Sequence, residues 1–268
     1  MATFPLMIVL GYQRTGTTVF GEFLNSHNMI FSLAEVFHHK YAASSAGELG
    51  YFSYIQSLPE CASYVREPET RTELFSSYLS YLRGVTPRPI LSIGVKYDST
   101  HHLDGVWRDI LLPPKMFRFL AETGGAIIHC VRSNVFLAEL SLLRAFQTNQ
   151  WHLPEDQSAE IKKVQINVGW LIHKINLHER RRNIFREYIS HLNIPVMDVV
   201  YEQMFEVNSG AFSQEICLNL ATFLGVDNTF WRQPRQKKIS PANWRDAITN
   251  AREIEEVLRQ KGLGVFLG

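Results

Sequence analysis

The 268-residue sequence predicts an α/β fold, a parallel sheet with helices on both faces. Three observations lead there. Short, unbroken apolar runs recur along the chain, as in strands buried on both sides. These runs alternate with segments of helical periodicity, the pattern of βα units. The first run also opens into a glycine loop that leads directly into a helix, as at the phosphate sites of α/β proteins.

Residues 6–10 (LMIVL) form the first run. The helix after it starts at residue 18 and extends to about 26, with Val19, Phe20, Phe23 and Leu24 on one side. Residues 41–83 are rich in Ser, Tyr and Glu, and fit two or three weakly amphipathic helices over the sheet edge. ILSIGVKY (90–97) is a second strand, AIIHCVR (126–132) a third, and NIPVMDVVYE (193–202) a fourth, entered through Pro195. Residues 134–147 form a helix that is apolar on one face, and 160–190 a long one carrying a solvated run at 179–182. Helices at 213–224 and 249–260 complete the set. No repeat, low-complexity tract or clear linker interrupts the chain, so one domain over 1–268 is expected.

Composition narrows the function classes. With 46% hydrophobic and 20% charged residues the chain reads as an ordinary globular protein. A net charge of +1 gives no basic excess for nucleic acid, so any anion site is local. Cys61, Cys130 and Cys217 are an odd set without CxxC spacing, which predicts buried thiols in a reducing compartment rather than disulfides or zinc ligands. The opening MATFP has no basic region, and the apolar run at 4–10 is too short for a signal-peptide core. No segment offers 18 consecutive apolar residues, so a cytoplasmic protein without a membrane partner is expected.

The glycine loop is the most specific feature. Gly11, four residues, then Gly16-Thr17-Thr18 match GxxxxGK[ST] except that Thr17 stands in place of the lysine. Such a loop aims backbone N–H groups and the positive end of a helix dipole at one point. Thr15, Thr17 and Thr18 add hydroxyls, and Arg14 adds a permanent charge whose planar fork suits a phosphate or sulfonate. The threonines alone could serve as a helix cap, but an arginine beside a helix N-terminus is unfavourable unless an anion is present. A P-loop kinase or NTPase also requires a magnesium carboxylate, commonly an Asp closing a neighbouring strand. Here AIIHCV runs into Arg132, Asp198 lies inside its strand, and VVYE closes on a Tyr–Glu pair. These residues suit a nucleotide with anions at both ends and no metal.

On these features the chain resembles the sulfotransferases that use 3′-phosphoadenosine-5′-phosphosulfate (PAPS), most strongly the bacterial carbohydrate branch that includes the nodulation-factor and trehalose enzymes. GYQRTGTTVFGEFLNSH is similar to the family's 5′-phosphosulfate loop. CVRSNVFLAELSLLRAFQTNQWH is similar to its 3′-phosphate segment, where an Arg ending a strand precedes a helical Ser, then R-A and Q-T-x-x-W. DVVYEQMF resembles the Y-E-[DE]-[LM] strand, and KKISPANW (237–244) the RKGxxGDW loop of the cytosolic branch. All four stand in the family's order.

The resemblance implies the sulfotransferase fold on a P-loop-like sheet, with PAPS as donor, 3′,5′-adenosine bisphosphate (PAP) as product, and no metal. It implies that Arg14, Thr15, Gly16, Thr17 and Thr18 hold the 5′-phosphosulfate and that Arg132 and Ser141 hold the 3′-phosphate. Tyr201 would lie near the adenine, and Lys237 and Lys238 would close over the 3′-phosphate. Two departures stand out. Ser141 is nine residues after Arg132 where the family usually has eight, and Ile239 takes the place of the family's glycine.

Transfer of a neutral SO3 unit needs donors around the bridging and sulfuryl oxygens, for which Arg14 and Lys96 are the candidates. Lys96 ends SIGVK, at the rim where α/β sites lie, and resembles the Lys of the family's second strand. Glu35 in FSLAEVFHH stands where the trehalose-type branch places its catalytic Glu. His101 in KYDSTHH is the competing base, as the cytosolic branch uses a His shortly after that Lys, at a shorter gap. His38 and His39 are candidates for lining the acceptor pocket. Tyr41, Tyr51, Phe52, Tyr54, Tyr64, Phe75, Tyr78 and Tyr81 are candidates for its wall and lid. The implied acceptor is a small molecule, a carbohydrate or secondary metabolite offering a hydroxyl or amine. A nucleotide kinase or NTPase with a degenerate P-loop, and a bisphosphate-nucleotide binder without turnover, are the alternative classes.

Overall fold

The computed structural model describes residues 4–38, 47–59, 61–105, 111–149, 162–206, 211–232 and 243–267. Its strands are β1 (Leu6–Gly11), β2 (Ile30–Leu33), β3 (Ile90–Lys96), β4 (Ala126–Val131) and β5 (Val196–Val200). They form one five-stranded sheet in the order β2-β3-β1-β4-β5, and every pair is parallel. The described helices are α1 (Thr17–Asn25), α2 (Tyr51–Ser57), α3 (Ser63–Arg66), α4 (Arg71–Val85), α5 (Lys115–Glu122), α6 (Val135–Thr148), α7 (Val168–Ser190), α8 (Gln214–Leu224) and α9 (Ala251–Gln260). None is long and apolar enough to cross a membrane.

β1 is the central strand because its residues are apolar on both faces, and all six are buried between β3 and β4. The chain leaves β1 towards one side to form β2 and β3, then crosses to the other for β4 and β5. The C-terminal end of β1 therefore lies where the winding reverses, the usual place for a ligand in an open α/β sheet.

Four strands fall where apolar runs predicted them. β2 was not predicted: IFSL is too short to show periodicity, and it is a strand only because it pairs along β3 from Ile90 to Ile93. The long helix predicted from 160 starts at Val168, since the Asn167 side chain accepts from Trp170 N–H and caps it, while Val164 bridges to Ile248. Cys61, expected to be buried, is exposed beside the start of α3, whereas Cys130 is buried in β4 and burial pushes its thiol well up. Tyr51, Phe75 and Tyr78 are not an acceptor wall. They are fully buried core residues: Tyr51 meets Phe37, Phe75 and Tyr78 edge-on, and Phe75 stacks on Phe37. Phe52, Tyr54 and Tyr64 are half-buried, Tyr81 is exposed, and Tyr41 lies outside the described residues.

The chain groups into two compact units. The first, Met1–Tyr12, Gly16–Val131 and Ile184–Pro234, holds the whole sheet. Its core joins Met7 and Val9 of β1, Ile128 and Cys130 of β4 and Val199 of β5 to Phe20, Phe23 and Leu24 of α1 and to Leu220 and Leu224 of α8. Phe23 stacks on Phe212 at 3.9 Å and on Trp231 at 4.8 Å between ring centroids, and each such buried ring contributes about 1.5–3 kcal/mol. The second unit, Gln13–Thr15, Arg132–Asn183 and Arg235–Gly268, packs Phe136, Leu140 and Leu143 of α6 against Leu171 and Ile175 of α7 and Ile254 and Leu258 of α9. Trp244 meets Phe136 edge-on at 4.9 Å within it.

Candidate functional site

Between β1 and α1 the chain turns on Gly16, which holds φ 84° and precedes the first helical residue. A Cβ there would come within 2.7 Å of Tyr201 Cδ2 and 3.2 Å of Met204 Sδ, so only glycine fits. Tyr201, expected near the adenine, thus packs its ring edge on the loop. No side chain caps α1 and its first turn carries no acidic residue. Its leading N–H groups therefore lack intrahelical acceptors and present a positive field, as an uncapped helix start does.

In the first unit this helix start meets two more selected residues. Lys96 at the end of β3 lies in register with Gly11 of β1. Its ammonium donates to Thr17 Oγ1 and pairs with Glu35 Oε1 at 3.2 Å. Their side chains keep 14% and 28% of their exposure, so the pair is sheltered but reachable. Glu35 follows β2 in a left-handed conformation, φ 52°, uncommon for a residue with a side chain. Val36 N–H donates to Gly94 O at 3.2 Å, and His38 N–H to Glu35 O at 3.0 Å.

Gly94 allows that approach. A Cβ there would sit 2.7 Å from Glu35 N and 3.0 Å from Ala34 Cα, both backbone atoms. Gly94 was not selected from the sequence, although a glycine inside an apolar strand signals close backbone approach. Gly94→Ala is expected to displace the Glu35 backbone by several tenths of an ångström and so to weaken its ion pair with Lys96; an unchanged Glu35–Lys96 distance in a structure of the folded variant would refute this.

Lys96 is also held from behind. The next residue, Tyr97, is buried, stacked on Phe185 at 4.3 Å, and its hydroxyl lies 2.5 Å from His129 Nε2. His129 Nδ1 lies 2.9 Å from Asp198 Oδ1, and Arg186 donates to Asp198 Oδ2 at 3.1 Å. An acceptor carboxylate at Nδ1 places the proton there and leaves Nε2 to accept from Tyr97. The hydrogen bond from His129 holds the Asp198 carboxyl below its usual range. A lone polar residue in AIIHCV was the available sign of this chain.

The two histidines after Lys96 are placed differently. His101 is exposed, with its ring 4.3 Å from that of His102. Burial, then the charges of His101 and Arg71, pushes His102 down to about 4, so it is neutral at pH 7. His38 is half-buried. His39, Lys237 and Lys238 lie outside the described residues.

The second unit gathers the remaining selections. Arg14 Nε donates to Ser141 Oγ at 3.0 Å, and Arg132 Nη1 donates to Arg14 O at 3.2 Å. Arg14 has φ 63°, which gives its carbonyl to Arg132 and its side chain to Ser141. Arg132 and Ser141 are 5% and 8% exposed and Thr15 is 1% exposed. Ser141 thus reaches this group despite its nine-residue spacing from Arg132.

A parallel sheet, an uncapped helix start behind a lysine-free glycine loop, and clustered guanidinium and hydroxyl donors define a protein of the sulfotransferase class. A model of the Stf0 sulphotransferase family matches residues 6–253, and the chain belongs to that family. None of the curated proteins compared with it gives a match.

Proposed function

We propose that the protein transfers a sulfuryl group from PAPS to a hydroxyl or amine of a carbohydrate or small secondary metabolite, releasing PAP. The observation that carries this is the contact of Lys96 with both Glu35 and Thr17, which joins a base and an acid at the start of α1. The residues present fit such a nucleotide. Gly16 turns the loop at φ 84°, the first turn of α1 has no side-chain cap, and Arg14, Arg132 and Ser141 supply guanidinium and hydroxyl donors.

When bound, the donor supplies the sulfuryl group and a phosphate leaving group. The loop residues Arg14, Thr15, Gly16, Thr17 and Thr18 would hold its 5′ end and Arg132 and Ser141 its 3′-phosphate, with Tyr201 near the adenine. Lys96, held by Thr17, would supply positive charge for the negative charge that develops on the leaving group. Glu35 takes the proton from the acceptor, a step that typically contributes ~10²–10⁴-fold. A protein that only bound the nucleotide would have no use for that carboxylate beside Lys96.

Calorimetry in EDTA tests the donor. PAP is expected to bind without metal and better than ATP, and Arg132→Ala to weaken PAP by about tenfold or more, as a charge-assisted contact of roughly 1.5–3 kcal/mol requires. Binding that depends on magnesium, or preference for ATP, would return the protein to the kinase class.

A further inference from the structure

A row of paired residues runs across the sheet of the first unit through Asp198 of β5, His129 of β4, Leu10 of β1 and Val95 of β3. Residues in register share one face of a sheet, and so do residues two apart on a strand. Lys96 is extended, at φ −85° and ψ 153°. Tyr97 therefore falls on the face of His129, and Lys96 on the opposite one, where it meets Thr17 of α1. The first face is otherwise apolar along β4, with Ile127 and Val131 flanking His129. An imidazole only 1% exposed is costly there unless both its nitrogens find partners. Both do: Nδ1 meets Asp198 and Nε2 the Tyr97 hydroxyl, while Arg186 takes the second oxygen of Asp198. A buried network satisfied at every member rigidifies what it joins.

What it joins is the end of β3. The β1–β3 register stops at Gly11 and Lys96, and from Tyr97 to Leu103 the chain turns into a 3-10 helix. Beyond Lys96 the backbone is held through Tyr97 instead. Its hydroxyl is on His129, its ring lies 4.3 Å from that of Phe185, and its carbonyl accepts from Thr100 Oγ1 at 3.0 Å. Because the two side chains leave the strand on opposite faces, a twist that swings Tyr97 off His129 also swings Lys96 off Thr17 and Glu35.

We infer that Tyr97 is a positioning residue, anchored by His129 and Asp198, that sets Lys96 between Thr17 and Glu35. The consequence for sulfuryl transfer rests on the PAPS reading above; the anchor itself is a property of the ligand-free protein.

The test labels the ligand-free full chain with limiting acetic anhydride and follows Lys96 by mass spectrometry, with Lys115, a half-buried lysine of the same unit, as the internal reference. Tyr97→Phe keeps the ring and removes one hydrogen bond, so Lys96 should label about fivefold faster while Lys115 stays within about twofold. His129→Leu should do the same. His129→Gln, whose amide oxygen can stand in for Nε2 as acceptor, should restore most of the protection. In Tyr97→Phe the release of PAP from PAPS should slow by about fivefold, with PAP affinity by calorimetry within about twofold. Unchanged labelling of Lys96 in Tyr97→Phe overturns the anchor. So do an equal rise at Lys115, failure of Tyr97→Phe to fold, or a His129→Gln protein as labile as His129→Leu, for the chain would then be structural. Lys96 uncovered beside unchanged release of PAP would leave the anchor standing and overturn the role of Lys96 in transfer. An unaltered protein that neither binds PAP nor releases it from PAPS would sink the PAPS reading, and the labelling would still decide the anchor.

Discussion

Glu35→Gln is expected to cut turnover on a hydroxyl acceptor by about 10²-fold or more and to leave PAP affinity nearly unchanged. Glutamine keeps the volume and an acceptor oxygen for Lys96 but cannot take a proton at neutral pH. The substitution therefore tests basicity and leaves packing alone. Glu35 is favoured over His101 on position: its carboxylate meets Lys96 at 3.2 Å, whereas His101 is exposed and stacks on His102. His101→Gln is the matched control, and its main effect should fall on acceptor affinity. Both variants should be followed across pH, because an amine acceptor would add its own titration to the profile. Near-normal turnover for Glu35→Gln beside a collapse for His101→Gln would move the base to the histidine.

Lys96→Met is expected to lower kcat by about 10²–10³-fold, the usual cost of removing one preorganised donor from a developing oxyanion. PAP affinity should change far less, because the contact strengthens only as charge builds in the transition state. Lys96→Arg should rescue little, since the planar fork does not reproduce a point charge set between Thr17 and Glu35. Residues that act as one unit lose activity non-additively. The double variant Glu35→Gln/Lys96→Met should thus be barely slower than Lys96→Met alone. Multiplicative losses in the double variant would show that the pair does not act together, and a loss in PAP affinity as large as the loss in kcat would make Lys96 a simple ground-state ligand.

The candidate site was legible wherever a short window holds the signal. GYQRTGTT places the glycine, the hydroxyls and Arg14 in one loop, and the unbroken apolar runs mark four of the five strands. What escaped had no window of its own. β2 is four residues long and owes its state to the strand beside it. Gly94 matters because of Glu35 N, and His129 because of Tyr97 and Asp198, partners distant in sequence. The aromatic segment misled for the opposite reason. Its residues suit a sugar-binding wall and a hydrophobic core equally well, and only burial separates Tyr51, Phe75 and Tyr78 from Phe52 and Tyr64.

By itself the sequence determined the fold class, the glycine loop ahead of the first helix, the threonine where the motif has its lysine, and the motif order that marks the family. Backbone geometry and periodicity act over a few residues, so a chain spells them out locally. The tertiary structure alone decided which charges meet. Lys96 reaches Thr17 across 79 residues because β3 lies beside β1, and Arg14 reaches Ser141 across 127. Hydrogen bonds and ion pairs act over a few ångströms of space, and strand order and helix packing set those distances.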